Sequence, residues 1–337
     1  MKHIAHGLSV QKLVTLAYSI PYFFKRQRFM KPITLLFLSL LMPAAGYAQS
    51  CPEQGDWLQV LGSGGPEVQD QRASSSYLLW LDGKARVLID AGGGSALRFG
   101  QSGAQMATLD AVAFSHFHID HSADFPALVK SSFFENRSRP LPVFGPKGNQ
   151  LLPSTSDFLK RLFSDTGVWP YLSHFLPGQR HFSYELQPHD IDFTGDDVID
   201  AFKNDRFQLR AIRVHHGPLP ALAWRIDISN GGSVTFSGDM SGEFGLLPKL
   251  ARGSDILVAH NAIAEDTTGV PRFLHMPPSV IADIASSSQV NTLVLSHFML
   301  RSLPVKSQTR SIIAQKFDRQ IIFANDLECI ALKPRHK

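Results

Sequence analysis

The sequence predicts an α/β sandwich with sheets inside and helices outside. Short apolar runs come in clusters separated by helical stretches, in two halves of similar make-up. Metal-capable side chains recur directly after those runs, where loops gather such groups at one sheet edge. There is no solenoid-like repeat period and no low-complexity tract.

Trp57–Leu61 reads as a first strand, stopped by the glycine-rich turn Gly62-Ser63-Gly64-Gly65-Pro66. Tyr77–Leu81 and Arg86–Ile89 form a hairpin around Asp82-Gly83, since Asp-Gly favours a tight turn. The second arm runs into Asp90-Ala91-Gly92-Gly93-Gly94. Leu109–Phe114 is a buried strand, followed by a histidine-rich loop and a helix through Pro126 to about Phe134. Pro142–Phe144 is a short strand. Residues 149–190 break the pattern as an aromatic-rich helical insertion, with helical pieces at Ser156–Phe163 and Tyr171–Phe175. Phe158, Phe163, Trp169, Tyr171 and Phe175 have a spacing that favours core packing over a lid or pocket wall. The second half has strands at Phe207–Val214, Leu222–Ile228, Ser233–Ser237, Ile256–Ala259, Thr292–Ser296, Ile321–Phe323 and Cys329–Leu332. Its helices are Pro278–Ser286 and Gln308–Phe317.

Residues 1–48 read as a leader ending in a secretory signal peptide. Met30-Lys31 precedes an apolar run from Ile33 to Met42, then small residues lead to Gly46-Tyr47-Ala48. That run is too short to span a bilayer comfortably. Residues 1–29 fit less well and are expected to lie upstream of a true start at Met30, or to form a long n-region. An uncleaved anchor over Leu13 to Phe24 is the other reading. Cleavage near Ala48 leaves 49–337, one large domain with the insertion, and places the protein in the periplasm or outside the cell.

The leader changes the charge argument. The chain has 33 basic and 29 acidic residues, a formal +4. Six of the basic residues (Lys2, Lys12, Lys25, Arg26, Arg28, Lys31) and none of the acidic ones fall in 1–48, so the rest carries 27 against 29, or −2. Nucleic acid is therefore not an expected partner, because a phosphate-backbone binder needs positive charge. Cys51 and Cys329 stand at the two ends of the mature part. Either they pair, as export permits, or they are two separate thiols; neither has zinc-thiolate spacing.

The most informative run is His116-Phe117-His118-Ile119-Asp120-His121. Residues two apart in extended backbone point the same way, so His116 and His118 can face one ion. Further candidates each follow an apolar strand: His215 and His216, Asp239 within Ser237-Gly238-Asp239, and His297 within Ser296-His297-Phe298. Imidazole and carboxylate ligands suit zinc, with manganese or iron as alternatives.

These motifs, with Leu61 to Gly65, Leu88 to Gly92, His216-Gly217-Pro218 and Leu293 to Arg301, resemble the metallo-β-lactamase superfamily. Within it the chain looks most like the ribonuclease Z and arylsulfatase-like branch, over nearly all of the mature part. The resemblance implies a four-layer αβ/βα sandwich holding two divalent metal ions. His116, His118 and His216 would hold one ion, Asp120, His121 and His297 the other, and Asp239 would bridge them. His216 is preferred to His215 for its His-Gly-Pro context. Asp90 resembles the family's aspartate that orients a ligand imidazole. Asp120 would also steer or deprotonate the attacking water, and His275 would serve the leaving oxygen.

The pattern also departs from that family. Where ribonuclease Z carries a His-Glu pair, this chain reads His260-Asn261, and an amide cannot exchange a proton as a carboxylate does. A core role for His260 and a catalytic one are equally open. No long glycine- and proline-rich arm of the kind that grips tRNA is evident. The expected function is thus an exported binuclear-metal hydrolase that uses a metal-bound hydroxide on a small phosphate or sulfate ester. The alternatives are a ribonuclease Z-like phosphodiesterase or nuclease, and a non-catalytic metal-binding protein on the same fold. Arg301 is a candidate clamp for the anion. The mature form is expected to lack a stable membrane span, and a homodimer is left open.

Overall fold

The computed structural model describes residues 51, 54–178, 184–192 and 194–332, so the leader and its cleavage site lie outside the described residues. The first half contains β1 (Trp57–Gly62), β2 (Ser76–Leu81), β3 (Lys84–Ile89), α1 (Ser95–Gln101), β4 (Ala111–Ala113), α2 (Ile119–Ser122), α3 (Phe125–Ser132), β5 (Leu141–Pro146), α4 (Thr155–Phe163) and β6 (Leu186–Ile191). The second contains β7 (Ile199–Lys203), β8 (Phe207–Arg213), β9 (Leu222–Ile228), β10 (Ser233–Phe236), α5 (Leu247–Ala251), β11 (Ile256–His260), α6 (Val270–Leu274), α7 (Pro278–Ser287), β12 (Thr292–Ser296), α8 (Lys306–Ala314), β13 (Gln320–Phe323) and β14 (Cys329–Ala331).

The strands form two seven-stranded mixed sheets. Their orders are β14-β1-β2-β3-β4-β5-β6 and β13-β12-β11-β10-β9-β8-β7. In each sheet an antiparallel meander gives way to parallel strands, at β3–β4 in one and β10–β11 in the other.

Alternation along the strands builds the layers. Tyr77, Leu79 and Leu81 of β2 face the core between the sheets, with Trp224, Ile226 and Phe236 opposite. Leu78 and Trp80 face the other way, into a core shared with Phe99, Leu128, Val129 and Phe163. On the second sheet Ile256 and Val258 point between the sheets, while Leu257 and Ala259 pack under Leu250, Ile281 and Ile313. Three apolar cores between four layers give the αβ/βα sandwich.

The insertion packs as core. Phe163, Leu172 and Phe175 are fully buried beneath the first sheet, with Phe158 and Trp169 partly buried against them and Tyr171 exposed. Its last residues hold a surprise, the edge strand β6, parallel to β5. Gln187, Pro188, His189 and Asp190 give β6 no apolar alternation to read, because an edge strand with one covered face needs little of it. The helix expected up to Phe134 is two short pieces, α2 and α3, broken at Ala123-Asp124.

The last strand returns to the first sheet, pairing Cys329 with Gln59 across β14 and β1. Cys51 and Cys329 are joined as a disulfide, with their Cα atoms 5.4 Å apart. Strand direction then places the site. β1, β3 and β4 run one way in the first sheet, and β8, β10, β11 and β12 share a direction in the second. The edges meet where Phe298 N–H donates to Ser63 O at 2.9 Å and Leu222 N–H to Ser115 O at 2.9 Å. Among the described residues no helix is long and apolar enough to cross a membrane.

Candidate metal centre

The 115–121 loop is held from below by Asp90. Its Oδ1 accepts the Ser115 N–H at 2.7 Å and its Oδ2 accepts the Ser115 hydroxyl at 2.8 Å. The same Oδ2 lies 2.8 Å from His121 Nδ1, so the carboxylate fixes the imidazole with Nε2 outward. Gly92 makes this approach feasible: a Cβ there would sit 2.1 Å from the Asp120 carbonyl oxygen. His118, still extended at ψ 153°, caps α2, and Asp120 and His121 occupy its first turn.

Two groups of donors result. His116, His118, His216 and Asp239 present ligand atoms all within 4.8 Å of one another. His121, Asp239, His260 and His297 form a second such group. Asp239 belongs to both. Its Oδ2 is 3.8 Å from His216 Nε2 and 3.5 Å from His121 Nε2, and its Oδ1 is 3.2 Å from His297 Nε2. Asp120 joins the second side through Oδ2, 3.2 Å from His297 Nε2 and 3.6 Å from His121 Nε2. All seven residues expected from the sequence therefore converge.

The chemistry of this pocket fits divalent cations. The Nε2 atoms of His116 and His121 are buried without a hydrogen-bond partner. A buried polar atom left so costs about 1–3 kcal/mol, which a cation at that nitrogen would remove. Burial pulls His116 well below the ordinary imidazole value, and neighbouring His121 and His216 add to it, giving the neutral form a ligand needs. Burial lowers His118 and His216 as well. For His121, burial is outweighed by Asp120, Asp239 and Asp90, which raise it well above that value. For His297, burial is again outweighed, and Asp239 and Asp120 raise it to about 9. Asp239 is held well below the carboxylate range despite its burial, because His297, His121 and His275 surround it. The carboxylates thus demand positive charge here, from protons or from cations.

His215 is not among the donors. Its Nδ1 lies 2.6 Å from Ser241 Oγ and its Nε2 3.2 Å from Glu243 Oε2, whereas His216 is steered by the Leu274 carbonyl at 2.9 Å from Nδ1. His275 faces the cluster, with Nδ1 buried, unpartnered and 3.9 Å from Asp239 Oδ2. Arg301 donates from Nε to the Ala262 carbonyl and from Nη2 to Met299 Sδ. Phe133 and Phe134 stay exposed and pack on Lys130. His260 is the residue whose role the sequence left open. It stands at the end of β11 with Nδ1 2.7 Å from Asp239 Oδ1 and Nε2 3.0 Å from the Tyr77 hydroxyl. The strand-end pattern that found His216 and His297 also marks His260; nothing in the sequence marks Tyr77.

Residues 85–298 match the family model described as a beta-lactamase superfamily domain. The chain belongs to the beta-lactamase superfamily. Members of this superfamily are metal-dependent hydrolases, and the fold typically holds two metal ions. Within the superfamily the chain is similar to proteins named ribonuclease Z. Ribonuclease Z of Mycobacterium bovis is 29% identical over 291 residues, covering 82% of this chain and 99% of that protein. Human tRNase Z, short form, shares the fold with a TM-score of 0.62 at 20% identity, over 82% of this chain and 99% of that one. Zn2+-bound PqqB from Methylobacterium extorquens does so with a TM-score of 0.58 at 14% identity, over 82% and 100%. Relatives named as ribonucleases leave the exclusion of nucleic acid, drawn above from net charge, without support.

Proposed function

We propose that this superfamily member is a metal-dependent phosphodiesterase of the ribonuclease Z kind. The observation that carries the reading is the pair of buried histidine groups sharing Asp239. The name carried by its relatives supports a phosphodiester over a sulfate ester as the bond cleaved. His116, His118 and His216 would hold one ion, Asp120, His121 and His297 the other, with Asp239 common to both. When bound, such ions supply a nucleophile at neutral pH and stabilise negative charge developing on the phosphoryl oxygens.

The chain's own groups do the rest. The Asp120 carboxylate would orient the attacking water and accept its proton. His275 serves the leaving oxygen. Burial draws its pKa down to about 3, so it enters the reaction neutral and hydrogen-bonds from the imidazole N–H rather than arriving as an imidazolium. Asn261, next in sequence to His260, is buried with its side-chain N–H donating to the Ile263 carbonyl at 3.2 Å, and cannot pass a proton on. His275 therefore acts without a carboxylate from that position.

A second reading keeps the chemistry and changes the substrate to a small exported phosphodiester. The Cys51–Cys329 disulfide favours it, since such bonds persist in oxidising compartments, as does the signal-like stretch before Ala48. The test is turnover of bis(4-nitrophenyl) phosphate, 4-nitrophenyl phosphate, 4-nitrophenyl sulfate and a 3′-extended tRNA transcript, with zinc or manganese. Cleavage of the diester but not the sulfate is expected. Cleavage of the transcript as well selects the first reading over the second. Silence on every substrate with full metal occupancy would leave a metal-binding protein without turnover.

A further inference from the structure

Behind the shared carboxylate lies a buried chain of polar groups running from one sheet to the other. Asp239 Oδ1 is 2.7 Å from His260 Nδ1, His260 Nε2 is 3.0 Å from the Tyr77 hydroxyl, and that hydroxyl is 2.9 Å from Ser296 Oγ. Tyr77 and Ser296 are wholly buried, and His260 and Asp239 nearly so. We propose that Tyr77 and His260 form a positioning relay that fixes the orientation of the Asp239 carboxylate, so that Oδ2 is left facing both histidine groups. The inference rests on the reading of Asp239 as the ligand common to both ions.

The direction of the relay follows from what each group can donate. A carboxylate only accepts, so His260 Nδ1 carries the proton and donates to Asp239. The Tyr77 hydroxyl stands 3.0 Å from Nε2 and donates to Ser296 Oγ at 2.9 Å, so it is held against the outer edge of the His260 ring. Burial keeps that hydroxyl protonated, pushing its pKa up. With Oδ1 pinned by His260, Oδ2 is left toward His121 at 3.5 Å and His216 at 3.8 Å. A flipped His260 ring would turn carbon toward Asp239, and the contact with Tyr77 opposes the flip. Both act through Asp239.

The rival role is His260 as a ligand itself, since Nδ1 lies within the second donor group. Metal affinity and stoichiometry separate the two. In Tyr77→Phe, which removes one oxygen, zinc affinity measured against a chromogenic chelator should fall 10–100-fold, as for other partners that orient a ligand. Two equivalents should still bind at saturating zinc. Tyr184→Phe is the control. It removes an equally buried hydroxyl, 2.6 Å from Ser132 Oγ and away from the site, and should leave affinity unchanged. His260→Asn keeps a donor near the Nδ1 position and should bind zinc better than His260→Ala. Affinity of Tyr77→Phe within twofold of wild type, or no lower than that of Tyr184→Phe, overturns the relay. So does the loss of a whole equivalent from His260→Asn at saturating zinc. Should Tyr77→Phe fail to fold, the two His260 variants decide by the same readout. A wild-type protein that binds two equivalents but hydrolyses nothing would refute the phosphodiesterase reading and leave this result legible.

Discussion

Asp90 Oδ2 lies 2.8 Å from His121 Nδ1, and Asp90 also accepts the Ser115 N–H, so one carboxylate sets both a ligand's tautomer and the path of the loop that carries it. Asp90 has a positive φ of 56°, a region that asparagine tolerates nearly as well. Asp90→Asn should therefore fold and keep its shape while losing the charge that orients His121. Zinc affinity is expected to drop about 10–100-fold with melting temperature changed little. Unchanged affinity by chelator competition would remove Asp90 from the support of the site.

The loop's close approach to Gly92 gives a second prediction. In Gly92→Ala the new methyl group would meet the Asp120 carbonyl oxygen, backbone that cannot swing aside. Overpacking of this kind costs about 1–3 kcal/mol, and here the displaced loop carries Asp120 and His121. Denaturant unfolding should show that loss together with weakened zinc binding. A variant as stable and as metal-competent as wild type would show that the loop has room.

The metal-free protein should be most stable near pH 6.5. The pKa of His260 is depressed from 6.5 to about 4, so its contribution is full above 6.5 and is lost as pH falls toward 4. The pKa of His297 is raised from 6.5 to about 9, so its contribution is full below 6.5 and is lost as pH rises through 9. Melting temperature in chelator should fall on both sides. Saturating zinc should abolish the alkaline decline, because the cation replaces the proton. A flat profile from pH 6.5 to 9 in chelator would contradict this assignment of charge.

The Cys51–Cys329 disulfide ties the start of the described chain to its last strand across a separation of 278 residues. Reduction should cost about 2–4 kcal/mol of stability, mainly through the entropy of the unfolded chain. Comparison of denaturant midpoints with and without reductant measures it. Coincident midpoints would show that β14 holds to β1 without the link.

How much of this was legible in the sequence depended on burial. Strands with one or both faces in a core, such as β8, β10 and β12, carry an apolar signature, and their ends pointed to His216, Asp239 and His297. The half-exposed edge strands β6 and β7 carry only a weak one, and neither was expected. His215 and His216 were separable only by context in the sequence, while in space one meets Ser241 and the other the donor cluster. Tyr77 could not have been singled out. It reads as one more aromatic residue in a strand, and only the packing of β2 against the second sheet brings its hydroxyl to His260.

Elemental analysis of the zinc-reconstituted protein tests the central claim most directly. Two equivalents are expected in the wild type and at most one in Asp239→Ala, because a single carboxylate serves both donor groups. A wild type that saturates at one equivalent, or an Asp239→Ala variant that keeps two, would contradict it.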